Sequence, residues 1–405
     1  MGIQKGIISG RPVVSRGLGI SRGVLLRPDG GGFFPASLFA NGEQGAWYDP
    51  SDLSTLFQDA AGTVPVTAAG QPVGLMLDKS QGLALGPELI TNGTFDTDLT
   101  GFSAGASWSW ADGKASASGA ATLDDALIQN GVVPAGEWVE ISFDLEVFSG
   151  ALDVRSGTTG GAEYFTALSV SGQYTRIFKN PLSETAYNLR FNRNSGVGAF
   201  SGTLDNISVR ELPGNHAVQT IAAARPTYQT DGTLHWLEFD GVDDSMVTPT
   251  ITPGTDKVQV FAGVRKLSPS TAIITELSSS SMSNNGTFAI ISNTRYEFRS
   301  RGAVTSDVVS PAGQSLPANS VITGIGDISA DISTIRLDGS SNTSPADQGL
   351  GDYLAYPLYI GARSGPLVPF KGDLFGLTVR FGPALDVSII ESTEADLAAK
   401  TGVTL

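Results

Sequence analysis

Three tryptophans are the side chains of this sequence best suited to bind a flat, partly apolar ligand. Trp108 and Trp110 lie two positions apart in WSWADGKAS, so on a strand they face the same side of a sheet. Trp138 opens the alternating segment WVEISFDL, and its position in that alternation predicts an outward side chain. Because an aromatic ring can stack on the apolar face of a sugar ring, all three are candidate glycan-binding residues. The alternatives are that Trp108 and Trp110 are core residues, and that a loop or a neighbouring subunit covers Trp138.

The carboxylates form a second set of candidates. Asp205 shares its parity with Ile207 and Val209, which predicts an inward carboxylate that needs a partner. In LEFDGVDD, Glu238 and Asp240 lie on one face of a strand. Two carboxylates so placed can act as nucleophile and proton donor in glycoside hydrolysis, although the same acids, with Asp243 and Asp244, can instead shape a turn. We interpret the segment as non-catalytic and expect no enzymatic activity.

The charge is unevenly distributed along the chain. The formal net charge is −15, yet the first 28 residues contain five basic side chains and no acid, so the remainder is strongly acidic. An acidic body disfavours nucleic acid as a partner, because phosphate binding depends on clustered lysine and arginine. The basic arm is predicted to dock on an acidic protein surface; the alternative is a solvated tail. Its basic residues are Lys5, Arg11, Arg16, Arg22 and Arg27.

Composition narrows the class of protein further. There is no cysteine and there are only two histidines, which excludes disulfides, thiolate metal sites and a histidine-rich metal centre. No apolar run is long enough to span a bilayer, and the N-terminus lacks the apolar core of a signal peptide. We therefore expect synthesis in a cytoplasm and no membrane insertion.

The elements that must position these side chains are short strands. With 50 glycines, only 16% charged residues and repeated alternation, the chain is predicted to be all-β, with two antiparallel β-sandwiches of jelly-roll type behind an extended N-terminal arm. In the connector that follows the arm, Trp47 and Tyr48 either pack locally or contact another subunit. A short C-terminal helix is predicted from Thr393 to Lys400, ending before Gly402. The predicted parts are an arm at 1–45, a connector at 46–88, a first sandwich at 89–212, a linker at 213–233 and a second sandwich at 234–405.

Both sandwiches resemble known families. ELITNGTFDTDLTGF, WSWADGKAS, WVEISFDL and GTLDNISVREL resemble the carbohydrate-binding modules of glycanases and of bacteriophage fibre and head-spike proteins. LEFDGVDDSMV, IRLDG, YIGAR and FKGDLFGLTVRFG resemble the laminin-G-like, concanavalin-A-like sandwich. The connector AWYDPSDLSTLFQD, followed by GLMLDKS, is similar to segments of phage virion proteins. Because a fold does not fix a ligand, these resemblances are most informative about architecture.

The first resemblance also implies a metal. In such modules an acid near the position of Asp205 helps to hold a structural calcium, together with groups near the first strand, which are here Thr94, Asp96 or Asp98. The alternative is a hydrogen-bonded aspartate that caps backbone amides. Calcium is the one cofactor that the sequence suggests.

Together these expectations describe a structural protein of a tailed bacteriophage virion: a surface spike or fibre, held to other head or tail proteins by its N-terminal arm, Trp47 and Tyr48, and touching host-surface glycans. It is expected on the virion surface after synthesis in the bacterial host's cytoplasm, and as a homo-oligomer, because spikes and fibres are usually symmetric. The alternative is a capsid decoration or tail-assembly protein without a ligand. A glycan depolymerase is the remaining, less favoured reading.

Overall fold

The computed structural model describes residues 34–157, 163–180, 188–313 and 315–405. Nearly all of its regular structure is β, as the sequence predicts. The strands are β1 (Gln44–Tyr48), β2 (Leu56–Phe57), β3 (Leu75–Met76), β4 (Ser103–Ala104), β5 (Trp108–Ala111), β6 (Lys114–Ala120), β7 (Leu127–Gln129), β8 (Trp138–Ser149), β9 (Leu152–Ser156), β10 (Glu163–Leu168), β11 (Gly172–Lys179), β12 (Leu189–Arg193), β13 (Phe200–Glu211), β14 (Ala217–Val218), β15 (Thr227–Thr230), β16 (His235–Asp240), β17 (Met246–Ile251), β18 (Lys257–Lys266), β19 (Ala272–Leu277), β20 (Thr287–Ser292), β21 (Tyr296–Arg301), β22 (Thr305–Val309), β23 (Ala318–Asp327), β24 (Ile332–Leu337), β25 (Ser340–Ser344), β26 (Tyr356–Ile360) and β27 (Lys371–Phe381). In the described part of the chain, α1 (Val387–Thr401) is the one α-helix, and short 3-10 helices occur at Pro35–Phe39, Leu53–Thr55 and Ala222–Ala224.

The first compact unit comprises Pro87–Arg176 and Asn180–Arg210. It contains two five-stranded antiparallel sheets, in the orders β10-β9-β12-β7-β4 and β11-β8-β13-β6-β5. Both sheets contribute rings to the core: Phe143 on β8 lies 5.2 Å from Phe165 on β10 and 5.3 Å from Phe191 on β12. The predicted inward set of β8 is buried, which confirms the alternation that was read from the sequence. Its members are Val139, Ile141, Phe143 and Leu145.

The second compact unit consists mainly of residues 34–86 and Glu211–Leu405. One sheet has the order β15-β16-β27-β18-β23-β24-β25, and the other has the order β2-β3-β14-β17-β26-β19-β20-β21-β22. Apolar side chains from both sheets form one large buried cluster. The long strand β18 supplies alternate members of it, Val258, Val260, Ala262 and Val264, as the two-residue period of a strand requires.

The predicted connector is part of the second unit's sheets. β1 pairs antiparallel with β27, placing Tyr48 opposite Leu377, while β2 and β3 pair with each other and β3 pairs with β14. Residues 46–86 therefore supply strands to the second sandwich, in contrast to the separate connector expected at 46–88. Likewise β14, β15 and Ala222–Ala224 are ordered structure inside the expected linker 213–233.

The C-terminal helix is longer than the sequence pattern indicated. α1 begins at Val387 after Asp386, and it ends before Gly402, whose φ of 71° is the left-handed conformation that glycine adopts readily. Thr393 does not cap the helix: it lies inside it, and its Oγ1 donates to Ile389 O at 2.8 Å. The predicted stop is correct, and the predicted start at Thr393 is wrong, because the helix begins at Val387.

Candidate functional site

Trp110 lies at the end of a tight hairpin in the first unit. β5 and β6 pair up to Ala111 opposite Lys114, and the two turn residues, Asp112 and Gly113, have φ angles of 52° and 74°. Positive φ at both central positions is the type I′ turn that Asp-Gly favours, because its twist matches that of paired strands. The sequence ADGK thus brings Trp110 to the tip of a hairpin, near the edge of the apolar core.

The two paired tryptophans differ in burial. Trp108 is 5% exposed, with its ring 6.1 Å from that of Phe200, which matches the core alternative. Trp110 is 43% exposed, and its indole N–H donates to Phe95 O at 2.6 Å. This hydrogen bond fixes one edge of an indole that is still partly open to solvent. An oriented, accessible aromatic ring of this kind is suited to stacking on a ligand.

The loop that holds Trp110 is itself well ordered. Phe95 is fully buried, and its ring lies 5.1 Å from that of Phe102. The Asn92 amide donates to the backbone oxygens of Asp98 and Thr100 at 2.9 and 3.0 Å, which closes the loop. On either side of Phe95 in the chain, Thr94 and Asp96 are exposed. A hydroxyl and a carboxylate therefore flank the residue that anchors Trp110.

Trp138 is buried, contrary to the prediction of an outward, accessible ring. It is only 4% exposed, at the first position of β8. Parity places it opposite the inward set, as expected, but parity says nothing about whether that side of the strand is covered. The prediction of accessibility is therefore wrong, and Trp138 presents no stacking surface.

Asp205 does not point into the core. Asn206 has a φ of 51°, and on either side of this irregularity Leu204 and Ile207 are buried while Asp205 is half-exposed. The break in alternation is the effect expected of a bulge, which re-aims the side chains on one side of it. The carboxylate of Asp205 accepts from Asn206 N at 2.8 Å, which matches the capping alternative. A calcium ion held by Asp205, Asp96 and Thr94 remains a prediction of the resemblance.

In the second unit, the acidic segment after Leu237 forms a turn. Glu238 and Asp240 are exposed while Phe239 is buried, so the predicted shared face is confirmed. Glu238 Oε2 accepts from Gln229 Nε2 at 3.0 Å, and Asp240 Oδ1 accepts from Val242 N at 2.7 Å. Asp244 Oδ2 accepts from Asp240 N at 2.9 Å. These contacts match the turn-shaping interpretation.

The same turn gathers carboxylates closely. One oxygen from each of Asp240, Asp243 and Asp244 lies within 4.8 Å of the others, the one such trio of potential metal-ligating side chains in the described part of the chain. Burial, together with the neighbouring acids, raises the pKa of Asp244 to about 6, although the hydrogen bond from Asp240 N acts in the opposite direction. Oxygen donors so spaced are of the kind that calcium prefers. Neither Asp205 nor Asp96 belongs to this trio.

Asp373 is a second acid with a raised pKa, and it is not among the candidate residues predicted from the sequence. It is 3% exposed on β27, opposite Glu238 in register. Burial raises its pKa to about 7; Arg265, at 3.6 Å, acts against this and Glu238 acts with it. A single acid inside the apolar strand GDLFGLTVRFG was the signal that could have revealed it.

Trp47 and Tyr48 are core residues of the second unit, contrary to the predicted role in anchoring. They are 4% and 0% exposed. Trp47 N donates to Asp78 Oδ1 at 2.8 Å, Lys79 N donates to Trp47 O at 2.8 Å, and the Tyr48 hydroxyl donates to Asn215 O. Their strand pairs inside the sheet, so both rings lie against their own chain and offer no docking surface.

Charged groups surround the Trp47 ring. Lys79 Nζ lies 4.6 Å and Lys400 Nζ 6.0 Å from its centroid, distances at which an ammonium is attracted to an aromatic face. Asp49 accepts from Lys400 at 3.0 Å and lies 3.5 Å from Lys79. Burial alone would raise the pKa of Asp49, but the two ammonium groups lower it overall. The segments AWYDPSD and GLMLDKS therefore fold together around one ring.

Two small cavities lie among the described residues of the second unit. One, of about 90 Å³, is lined by serine hydroxyls and Lys371 beside the acidic turn. The other, of about 220 Å³, lies between the segment Thr233–His235, Ser51 and the end of α1, where Asp396 and Lys400 pair at 3.2 Å. Neither cavity could be predicted from the sequence, because their lining residues come from segments far apart in the chain.

The basic residues predicted to anchor the chain lie outside the described residues. They are Lys5, Arg11, Arg16, Arg22 and Arg27. No helix within the described ranges is long and apolar enough to span a membrane.

No family model and no curated protein matches this chain. Several solved structures are similar to parts of it. A CBM4 structure is 16% identical, with a TM-score of 0.25, over 30% of this chain and 99% of that one. The CBM40 of the Ruminococcus gnavus IT-sialidase is 14% identical, with a TM-score of 0.29, over 34% of this chain and 83% of that one. The NanB sialidase from Streptococcus pneumoniae is 16% identical, with a TM-score of 0.29, over 34% of this chain; the chain spans 24% of that protein's length.

Proposed function

We propose that the first β-sandwich binds glycans by stacking a sugar ring on Trp110. The observation that carries this proposal is the indole itself, which is 43% exposed and held by its N–H to Phe95 O at 2.6 Å. A ring fixed before binding loses little conformational entropy when a ligand stacks on it, and this favours affinity. Burial of Trp108 and Trp138 leaves Trp110 as the stacking residue among the three candidates.

The surroundings of Trp110 supply hydrogen-bonding groups. Thr94 and Asp96 are exposed on the loop whose Phe95 holds the indole. Sugar hydroxyls both donate and accept, so a hydroxyl and a carboxylate beside a stacking ring can orient a bound sugar. A single shallow site of this kind binds weakly, and we infer that useful affinity comes from several copies displayed together.

We further propose that these copies are displayed on a tailed-phage virion, as a homo-oligomeric spike or fibre anchored through the N-terminal arm. The similarity of AWYDPSDLSTLFQD and GLMLDKS to segments of phage virion proteins supports this context. Cryo-electron microscopy of the particle that carries the chain tests it. Density for both sandwiches projecting from the head or tail supports the proposal; absence of the chain from purified particles contradicts it.

The glycan proposal is tested with the full chain and two matched variants. We expect Trp110→Ala to weaken binding of the best ligand from a glycan array by roughly tenfold, or about 1.4 kcal/mol, in titration calorimetry. The control is Phe148→Ala, which removes another exposed ring, 62% accessible, from the same sandwich. Equal thermal midpoints would show that both variants are folded.

Two outcomes would contradict the glycan proposal. In the first, the two alanine variants bind the array's best ligand equally well, so Trp110 is not the stacking residue. In the second, the intact protein binds nothing on an array that covers bacterial surface glycans. The second outcome favours a decoration or tail-assembly role without a ligand.

A further inference from the structure

We propose that the smaller cavity of the second unit is a separate polyol-binding subsite, which takes the hydroxymethyl or vicinal-diol edge of a neutral saccharide. The key observation is Ser292, the last residue of β20. It is 1% exposed, it lines the cavity, and its Oγ makes no hydrogen bond within the described part of the chain. A buried hydroxyl without a partner is costly, and because Ser292 lines the cavity, a hydroxyl group that enters the cavity can complete its hydrogen bonding.

The lining of the cavity has the chemistry of a hydroxyl-binding site. Ser268 and Ser270 add two further hydroxyls, and Lys371 adds an ammonium. Serine both donates and accepts, whereas lysine only donates. Phe370 and Ala272 supply an apolar wall. A saccharide edge presents the same mixture, with hydroxyls on its rim and C–H groups between them.

The size of the cavity limits the ligand. A cavity of about 150 Å³ accommodates a six-membered ring such as benzene, whereas the volume of this cavity is smaller, at about 90 Å³. That space is too small for a whole pyranose ring and sufficient for a two- or three-carbon polyol fragment. The cavity therefore holds one edge of a sugar while the remainder of the ligand stays outside.

The neighbouring charges select a neutral ligand. Gly241 lines the cavity, and in the chain it follows Asp240 and precedes Asp243 and Asp244, the three residues of the carboxylate trio. Asp240 is also opposite Lys371 in the β16–β27 register. Three clustered carboxylates therefore lie near two ammonium groups, that of Lys371 and that of Lys266, whose Nζ donates to Asn293 O next to Ser292. Because these charges roughly balance, a neutral ligand fits the cavity better than phosphate, sulfate or an acidic sugar. This inference concerns a different unit from Trp110 and does not rest on glycan binding there.

The test uses ligand-observed saturation-transfer NMR on the full chain carrying Trp110→Ala, with glycerol and methyl α-D-glucopyranoside as probes. We expect saturation of the hydroxymethyl protons, and an at least fivefold loss of that signal with the added change Ser292→Val, which removes the hydroxyl and fills the cavity. Ser333→Val is the matched control, because Ser333 is also buried with an Oγ that lacks a hydrogen bond in the described residues, yet it does not line the cavity.

A second variant keeps the proposal testable if Ser292→Val does not fold. Lys371 is exposed, so Lys371→Met should fold normally and should also weaken the signal. The proposal is overturned if neither probe is saturated, or if Ser292→Val and Ser333→Val behave alike. A crystal soaked with glycerol that shows only water beside Ser292 Oγ also overturns it. Because every sample lacks Trp110, none of these outcomes bears on the site in the first unit.

Discussion

Two buried acids, Asp373 and Asp244, make the stability of the second unit depend on pH. Burial raises the pKa of Asp373 to about 7 and that of Asp244 to about 6, whereas an unfolded aspartate titrates near 3.9. The folded state therefore binds more protons than the unfolded state between about pH 4 and 7. Proton binding by Asp373 and Asp244 therefore stabilises the folded state fully below pH 4. This stabilisation is lost as the pH rises through the pKa values of the two acids in the folded state.

We accordingly expect Asp373→Asn to reduce the fall in unfolding free energy between pH 4.5 and 8 by about 3 kcal/mol, because an amide cannot ionise. Urea unfolding at several pH values measures this difference. Asp347→Asn, at an exposed position of the same unit, is the control. A parallel response of the two variants would show that Asp373 does not titrate as stated.

At the residue scale, the sequence predicted side-chain direction better than accessibility. The inward set of β8 and the exposed face of Glu238 and Asp240 follow from the two-residue period of a strand. Accessibility of Trp110 and burial of Trp138 do not follow from that period. They depend on where the hairpin ends and on what covers the beginning of β8.

Among the elements, α1 packs closely on the sheet of the second unit. Gly263 on β18 and Gly376 on β27 are opposite each other, and a Cβ on either would lie 3.4 and 2.9 Å from Leu397 Cδ2. The missing side chains leave the space that Leu397 fills. Its neighbours in this cluster include Phe261 and Val321, which also lie on the helix side of the sheet.

We expect Leu397→Ala to destabilise the second unit by about 2–4 kcal/mol, because it removes a buried side chain and leaves a cavity between helix and sheet. Val387→Ala lies on the same helix at a position that is 61% exposed, so it should cost under about 0.5 kcal/mol. Denaturant unfolding compares the two. If both variants unfold at the same denaturant concentration, the helix does not contribute to the cooperative core.

At the scale of the whole molecule, the first unit is inserted into the second along the chain. The chain leaves the second unit after Gly86 and returns to it at Glu211. These two residues are hydrogen-bonded, with Gly86 N donating to Glu211 O at 2.8 Å. The chain therefore leaves and returns at one place. The strands before the insertion, β1 to β3, pair with β27 and β14 after it.

This connectivity predicts the outcome of two deletions. A chain in which a few glycines replace residues 88–210 should show one cooperative thermal transition, because the ends to be joined are already hydrogen-bonded. A fragment containing 213–405 should show no cooperative thermal transition, because it lacks β1, β2 and β3 and exposes the apolar residues that pair with those strands, Ala217 and Leu377 among them. Circular dichroism during heating compares the two shortened proteins. A cooperative transition in the fragment 213–405 would show that β1, β2 and β3 are not needed for the second unit to fold.

The sequence by itself determined the local and repetitive properties of this protein. Alternation in β8, the Asp-Gly turn at Asp112 and the stop at Gly402 are set by backbone geometry over a few residues, so they can be predicted. The all-β class followed from the same signals repeated along the chain.

Only the tertiary structure decided which strands pair, which side chains are buried and which residues meet around a cavity. It paired β1 with β27 across more than 300 positions, buried Trp47 and Trp138, and left Trp110 exposed. It also brought Ser268, Ser292 and Lys371 around one cavity. The physical reason is that burial and hydrogen-bond partners come from strands distant in sequence, and no local periodicity records which distant strand will be adjacent.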